Sequence, residues 1–529
     1  MKNLDMRIIS SLEKVFLDSE LNVRDVSRLT MLKNEKLSFQ CALKLNSVQY
    51  GKAVASINVK SKLAQYITVY EVGHIPGVLT SYPEVDDGYI TTKPGLFPDL
   101  LTKTETVDLM TGQWRSIWIT IKGEDLPSGT FPVEIELVQP DIDISERESI
   151  EIEIINASLP KQELLYTQWV HYDCIAQYHK TEVFDERFWA LTEKYIKLAT
   201  DNGINTILTP LFTPPLDTKI GGERLTVQLV DVYLEGDEYS FGFDKLLRFV
   251  NMCNKNGVLC FEFSHLFTQW GAKCAPKIVA KRNGETIKLF GWETEARSEK
   301  YRAFLESFLK QLLKFIDAQK LRDRCCFHVS DEPMMENIDD YRYAYEFIEN
   351  NIEGMPIIDA LSDFDFYEKN ITKIPIPSID HMKPFLEADI EKRWTYFCCS
   401  QYLNVPNRFF SLPSYRNRIL GMQLYKYNMD GFLHWGYNFY NTRFSLAALN
   451  PYEITDAAGG FPSGDSFLVY PTEDGATPSI RLFVTNEAMQ DVRALKLLEK
   501  LKGRDFVLDL IGMSIAIPAL RQFVMNVWR

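Results

Sequence analysis

The run Cys325-Cys326-Phe327-His328-Val329-Ser330-Asp331-Glu332-Pro333 is an apolar, strand-like stretch that stops abruptly on two carboxylates and a proline. Adjacent acids are the residue types of general acid–base catalysis, in which one group hands a proton to a leaving oxygen while another carries charge beside it. The usual pair that cleaves a glycosidic bond comes from different strands and flanks that bond at roughly 5 to 9.5 Å. Neighbouring acids suit another arrangement: the 2-acetamido oxygen of the sugar is the nucleophile, one carboxylate orients that amide, and its neighbour protonates the leaving oxygen. A period of two sends Phe327 and Val329 to one face and Cys326, His328, Ser330 and Glu332 to the other. In ideal extended chain Asp331 then points away from Glu332, so both reach one substrate only where the strand twists or bulges. An acidic pair at an arbitrary place would more simply cap a helix or sit in solvent; a position at the end of a barrel strand is what favours chemistry.

Other candidates gather near the ends of similar runs. The rings of Trp169, Tyr172, Trp270, Trp292, Tyr396, Trp435 and Tyr437 are platforms on which sugars stack their C–H faces, with Trp435 as the expected floor, although any one of them alone would serve as core. His171, His265, Asp173 and Asn438 are candidate partners for sugar hydroxyls. The expected site is therefore Glu332 and Asp331 as catalytic residues, with Trp435, Tyr396, Asn438, His265, Trp270, Asp173, His171 and Trp292 binding substrate. Asp173, Glu262, Asp359 and Asp363 are further acids, each equally suited to helix capping. Arg224, Arg408, Arg416 and Arg418 are expected mostly to brace loops.

His171, His265, His328 and His434 also define an alternative, a metal-dependent hydrolase. No paired H-x-H spacing supports it. The chain has no C-x-x-C and no H-E-x-x-H, and the turn of Gly459, Gly460 and Gly464 lacks dinucleotide and P-loop spacing. No metal and no cofactor are expected.

These residues need elements to position them. Residues 1–158 alternate short β-branched or aromatic runs with turns, the texture of an N-terminal β-sandwich. Residues 159–502 change period: strand candidates at 166–173, 205–211, 259–266, 325–331, 356–361, 375–379, 394–400 and 431–440 alternate with helical patterns at 186–202, 243–255, 300–319, 340–350, 415–428 and 488–501. Eight such units predict a (β/α)8 barrel, whose chemistry sits at the C-terminal ends of the strands. Residues 503–529 are expected to be a short helical extension on the barrel, with the apolar stretch 510–520 as a buried helix. It is too short to span a bilayer and is interrupted by Pro518.

A formal net charge of −14 without a dense Lys/Arg stripe argues against nucleic acid and anionic membrane as partners. Lys2, Asp5, Arg7, Glu13, Lys14 and Asp18 leave no apolar block at the N-terminus, so no signal peptide is expected and the expected location is cytoplasmic. Nine cysteines, with adjacent pairs at Cys325-Cys326 and Cys398-Cys399 in apolar runs, suit reduced core thiols better than a disulfide framework.

Several motifs together resemble glycoside hydrolase family 123, the β-N-acetylgalactosaminidase family. In the first region they are Asn34-Glu35-Lys36-Leu37-Ser38-Phe39-Gln40, Phe97-Pro98-Asp99, Trp118-Ile119-Thr120 and Pro127-Ser128-Gly129-Thr130-Phe131. In the second they are Thr268-Gln269-Trp270-Gly271, Ser330-Asp331-Glu332-Pro333, Gly431-Phe432-Leu433-His434-Trp435-Gly436, Gly464-Asp465 and Tyr470-Pro471. The resemblance implies that Glu332 is the general acid/base, that Asp331 holds the acetamido group, and that the reaction retains configuration through an oxazolinium-type intermediate. It also implies a terminal β-linked N-acetylgalactosamine as substrate, without metal or cofactor. A glycosidase for another sugar and a non-catalytic glycan-binding protein are the alternatives.

Overall fold

The computed structural model describes residues 3–46, 51–142 and 144–513. The first region is built of two five-stranded sheets. One runs Leu4–Ser10, Lys36–Leu45, Trp114–Lys122, Ile67–Gly77, Gly95–Lys103 in spatial order; the other runs Arg28–Lys33, Ile144–Ser158, Gly129–Gln139, Lys52–Lys60, Thr106–Met110. Period-two alternation explains why they pack: Val133, Ile135 and Leu137 are fully buried while Glu134 and Glu136 between them face outward. Residues of both sheets share one apolar cluster, with Phe39, Ile117 and Ile119 from one sheet against Val133, Ile135 and Ile152 from the other.

The second region carries parallel strands, labelled here β1 (Leu165–Gln168), β2 (Thr206–Thr209), β3 (Cys260–Phe263), β4 (Cys325–Phe327), β5 (Asp359–Ala360), β6 (Pro375–Ile376), β7 (Trp394–Tyr396) and β8 (Gly431–His434). Six form a curled parallel sheet in the order β4-β3-β2-β1-β8-β7, and β5 and β6 pair parallel with each other. Single bridges run from each edge of the large sheet to the small one, Phe327 to Ile357 and Ser378 to Tyr396. Alternate residues again divide between two layers. Cys260, Cys326, Leu208, Ala360, Trp394 and Leu433 share an inner cluster, while Phe261, Phe263, Phe327 and Val329 pack outward among helices such as Glu299–Ala318. Five of the six predicted helices are present to within two residues at each end: Glu186–Thr200, Asp244–Lys255, Glu299–Ala318, Ile338–Asn351 and Ser414–Lys426.

Three expectations change. The first strand was expected to reach residue 173 but ends at Gln168, and Tyr172–His179 is a helix. Its buried Tyr172, Ile175, Ala176 and His179 follow helical spacing over too few turns to outweigh the β-like run before it. The last helix spans Ile480–Lys502 rather than 488–501, because nearly all of its first three turns is buried and shows no amphipathic stripe; Ser479 caps it by accepting from the Leu482 amide. A four-stranded sheet, Glu238–Gly242, Asp231–Glu235, Ile278–Arg282 and Glu285–Phe290, rises from the loops after β2 and β3 and was not anticipated. In the C-terminal extension the helix Arg504–Met513 buries Val507 and Leu510 against Met422 and Leu498, and most of the predicted 510–520 helix lies outside the described residues. Among the described residues no helix is long and apolar enough to cross a membrane.

The two regions are locked by buried charge. Arg481, on the helix Ile480–Lys502, makes two 2.9 Å bonds to the Asp99 carboxylate of the strand Gly95–Lys103, and the Tyr470 hydroxyl donates to the same group at 2.6 Å. Lys36 lies 3.1 Å from the ring centre of Phe483, and the Gln490 side chain bonds both backbone groups of Lys36. Removing one partner of a buried pair leaves an uncompensated charge, so Arg481→Ala is expected to lower unfolding free energy by about 3–5 kcal/mol. Urea denaturation checks this; a midpoint unchanged from wild type would mean that Asp99 finds another counter-charge.

Candidate active site

A cavity of about 200 Å³ opens at the C-terminal ends of the parallel strands. Trp169 follows β1, Asp331 and Glu332 follow β4, Tyr396 ends β7 and Trp435 follows β8, and all five line it. Strand polarity explains the gathering: parallel strands deliver every following loop to one face.

The geometric difficulty at the acidic pair is resolved by the backbone. Glu332 has φ +44°, in the left-handed region, so the chain turns out of its extended course and both carboxylates line the same cavity. The turn is held on two sides: the Glu332 amide donates to the Ala360 carbonyl at 3.1 Å and the Trp270 amide to the Asp331 carbonyl at 2.8 Å. Asp217, Trp270 and Phe444, all at the cavity wall, also have positive φ, of +39°, +61° and +63°. Such residues cost of order 1–3 kcal/mol each and persist where surrounding contacts over-determine them. Here those contacts join loops: the Asp217 carboxylate accepts from the Phe444 amide at 2.9 Å and the Asp217 carbonyl from the Ser445 hydroxyl at 2.8 Å.

Burial raises the pKa of Asp331 well above the usual carboxylate range, and the charge of Glu332 adds to it. Burial also raises Glu332, opposed by the Tyr396 hydroxyl, which donates to its carboxylate at 2.6 Å. Burial pushes Asp217 up to about 6.

Beneath the cavity, His328 lies between Glu262 at 2.6 Å and Asp359 at 3.0 Å, one carboxylate on each ring nitrogen. Burial works to strip its proton, but the two carboxylates prevail and hold its pKa at about 9. Glu262 also accepts from the Trp169 indole at 2.7 Å, and Asp359 from the Tyr341 hydroxyl at 2.7 Å, so this network fixes the ring that lines the cavity. His265 stacks on His328 at 4.3 Å, and burial keeps it well below the usual histidine pKa. Ligand-type atoms of His265, His328 and Asp359 lie within 4.8 Å of one another. Both ring nitrogens of His328 are already taken up by the two carboxylates.

Of the residues expected from sequence, Asp331, Glu332, Trp435, Tyr396 and Trp270, with the platform candidate Trp169, come together around the cavity. The others do not line it. His265 lies below Trp169. The Asn438 amide is committed to the backbone of His171, at 2.8 and 3.1 Å. Asp173 is bound through both oxygens by Arg224, at 2.8 and 2.7 Å, and the His171 ring bridges Arg224 and the Trp435 carbonyl. Trp292 donates to the Gly222 carbonyl at 3.0 Å, apart from the acids. Sequence reasoning passed over Asp217, Arg443, Phe444 and Phe461 as wall residues; they sit in loops without periodicity, whereas the wall residues Gln269 and Leu433 lie in the family-like motifs. The Trp435 indole is itself held by Asp465, at 3.1 Å.

Residues 169–498 match the family model described as the glycoside hydrolase 123 catalytic domain. No curated protein matches the chain. Among solved structures, a family 123 glycoside hydrolase from Clostridium perfringens, presented with the details of glycolipid glycan hydrolysis, superposes with TM-score 0.74 at 15% identity, covering 99% of this chain and 97% of that one. An endo-beta-1,4-mannanase from Thermotoga petrophila gives 0.35 at 12% identity (63% of this chain, 77% of that one), and a putative beta-galactosidase from Bacteroides fragilis gives 0.33 at 10% (90% and 60%).

Proposed function

This chain belongs to glycoside hydrolase family 123 and is a glycoside hydrolase, and from that premise we propose that it is a retaining exo-β-N-acetylgalactosaminidase using the 2-acetamido group of its own substrate as nucleophile. The observation that carries the reading is that both acids of one dipeptide line a single cavity, with Glu332 in the left-handed region. Adjacent carboxyls suit a reaction whose nucleophile is the acetamido oxygen within the sugar, and the third acid of the wall, Asp217, has its carboxylate engaged by the Phe444 amide.

In this reading the sugar stacks on the cavity's indoles, and Glu332 delivers its proton to the glycosidic oxygen as the C1–O bond breaks and the acetamido oxygen closes on C1. Asp331 accepts the acetamido N–H and stands against the cationic ring so formed; that N–H and the ring's positive charge favour its ionised form, opposing the burial that raises its pKa in the empty cavity. Glu332, now ionised, takes a proton from water as it opens that ring from the face the leaving group left, restoring the β configuration. Burial supports the first step, since it keeps Glu332 protonated at a pH where a solvated glutamate is ionised. We read the framework as a sandwich over 1–158, a (β/α)8 barrel over 159–502 and an extension over 503–529; the edge bridges at Phe327 and Ser378 support closure of the barrel.

Hydrolysis of p-nitrophenyl β-GalNAc, β-GlcNAc and β-Gal, with and without EDTA, tests the proposal. The expected result is release from β-GalNAc, indifference to EDTA, β-Gal inert for want of an acetamido group, and a β-configured first product by NMR. Equal turnover of β-Gal, or an α first product, would overturn it.

A further inference from the structure

The chain has two pairs of adjacent cysteines, and the backbone treats them in opposite ways. Cys325 and Cys326 lie in the extended strand β4, so parity sends Cys325 to the outer layer and Cys326 to the inner one. Cys398 and Cys399 stand just past the end of β7, where the Gln401 amide donates to the Cys398 carbonyl at 3.2 Å and closes a turn. Both therefore line one cavity, the one that holds Asp331 and Glu332. Both are free thiols, Cys398 buried and Cys399 partly exposed. The Cys398 thiol donates to the Gln401 side-chain oxygen at 3.3 Å. The Cys399 thiol lies within hydrogen-bonding reach of it, and that contact together with burial holds the Cys398 thiol well above the usual cysteine pKa. Cys399 also packs beside Trp435 against the cluster of Phe439, Ala457 and Phe461.

We propose that Cys398 and Cys399 are a modification site: a peroxide joins them in a disulfide between neighbouring residues, a thiol reductant reopens it, and the closed form is inactive, this last effect resting on the hydrolase reading above. Cys399, the more accessible, reacts first. Its sulfur attacks one oxygen of hydrogen peroxide, the O–O bond breaks, the thiol proton joins the other oxygen as water, and a sulfenic acid is left. The Cys398 sulfur then attacks that of Cys399; the S–S bond forms, the S–O bond breaks, and the hydroxyl leaves with the Cys398 proton as a second water. Two thiols are oxidised by two electrons and one peroxide is reduced to two waters. Neighbouring α-carbons stand about 3.8 Å apart, closer than the roughly 4.4–6.8 Å that a disulfide ordinarily spans, so this bond is strained and easily reduced. A labile bond of that kind switches a site rather than stapling a fold. Closure spends the hydrogen that Cys398 gives to Gln401 and draws Cys398 toward Cys399. The wall then shifts between Tyr396, which bonds Glu332, and Trp435.

The test treats wild type with hydrogen peroxide and then with dithiothreitol, following p-nitrophenyl β-GalNAc hydrolysis and the mass of the tryptic peptide 394–408. That peptide holds no cysteine besides the pair, so a loss of two hydrogen atoms from it has one source. The expected result is that loss, with turnover lowered on the order of 10²-fold, the scale of a catalytic group displaced by an ångström, and both reversed by dithiothreitol. Cys399→Ser, measured against its own untreated rate, is expected to stay within about twofold after peroxide, having no sulfur to form the sulfenic acid. Thiols that remain open to alkylation, oxygen gained without loss of hydrogen, a disulfide that leaves turnover unchanged, or a Cys399→Ser rate that falls as far as that of wild type would overturn the proposal. The mass is read independently of turnover: wild type inert toward β-GalNAc that still forms the disulfide would sink the hydrolase reading and leave the modification site standing.

Discussion

Glu332→Gln is expected to lower kcat by roughly 10³-fold on an oligosaccharide, the middle of the range for a positioned general acid. The loss should be smaller on a p-nitrophenyl glycoside, whose leaving oxygen needs less help from a proton. Glutamine keeps the shape of the side chain and still accepts from the Tyr396 hydroxyl, which now donates to Glu332 at 2.6 Å, so folding should survive. The pH profile gives a sharper check. Activity that needs protonated Glu332 falls as pH rises through its raised pKa, and that alkaline limb should vanish from kcat/KM in the variant. A variant with an unchanged alkaline limb would remove Glu332 as the acid.

Asp331→Asn carries the second large effect, about 10² to 10³-fold in kcat on 2-acetamido sugars, the scale of losing one charge-stabilising group aimed at the transition state. It also makes an opposite prediction for stability. Burial and the Glu332 charge raise the folded pKa of Asp331 well above its ordinary 3.8, so the native state binds that proton more tightly than the unfolded chain. Stability is then lost as pH rises from the ordinary value through the raised one. Asparagine has no charge to bury, so at pH 7 the variant should melt at a higher temperature than wild type while turning over far more slowly. Differential scanning calorimetry at pH 4 and pH 7 reads this, with the gap between the proteins widest at pH 7. A variant that melts lower at pH 7 would mean that the fold, rather than the substrate, satisfies the Asp331 charge.

The same acid pair marks how far local pattern reached. The period of two along 325–333 correctly assigned Phe327 and Val329 to the outer layer and Cys326 to the inner cluster, because facing in a strand depends on parity alone. That rule also required a break in the strand if Asp331 and Glu332 were to act together. It contained nothing that says the break is a left-handed Glu332, tied to Ala360 and Trp270.

What the amino-acid order determined by itself was therefore the parts whose physics is local: the change from short strands to strand–helix alternation, the strand end that carries Asp331 and Glu332, and the motifs by which the family is recognised. What only the tertiary structure decided was which polar groups remain free for a substrate. Asn438 and His171 bind each other across 267 residues of chain, and Asp173 meets Arg224 across 51, so their side chains answer to partners that no periodicity reveals. Asp217 reaches the cavity wall because its loop is tied to Phe444, 227 residues away. A hydrogen bond depends on distance in space, and a pattern along the chain records only distance in sequence.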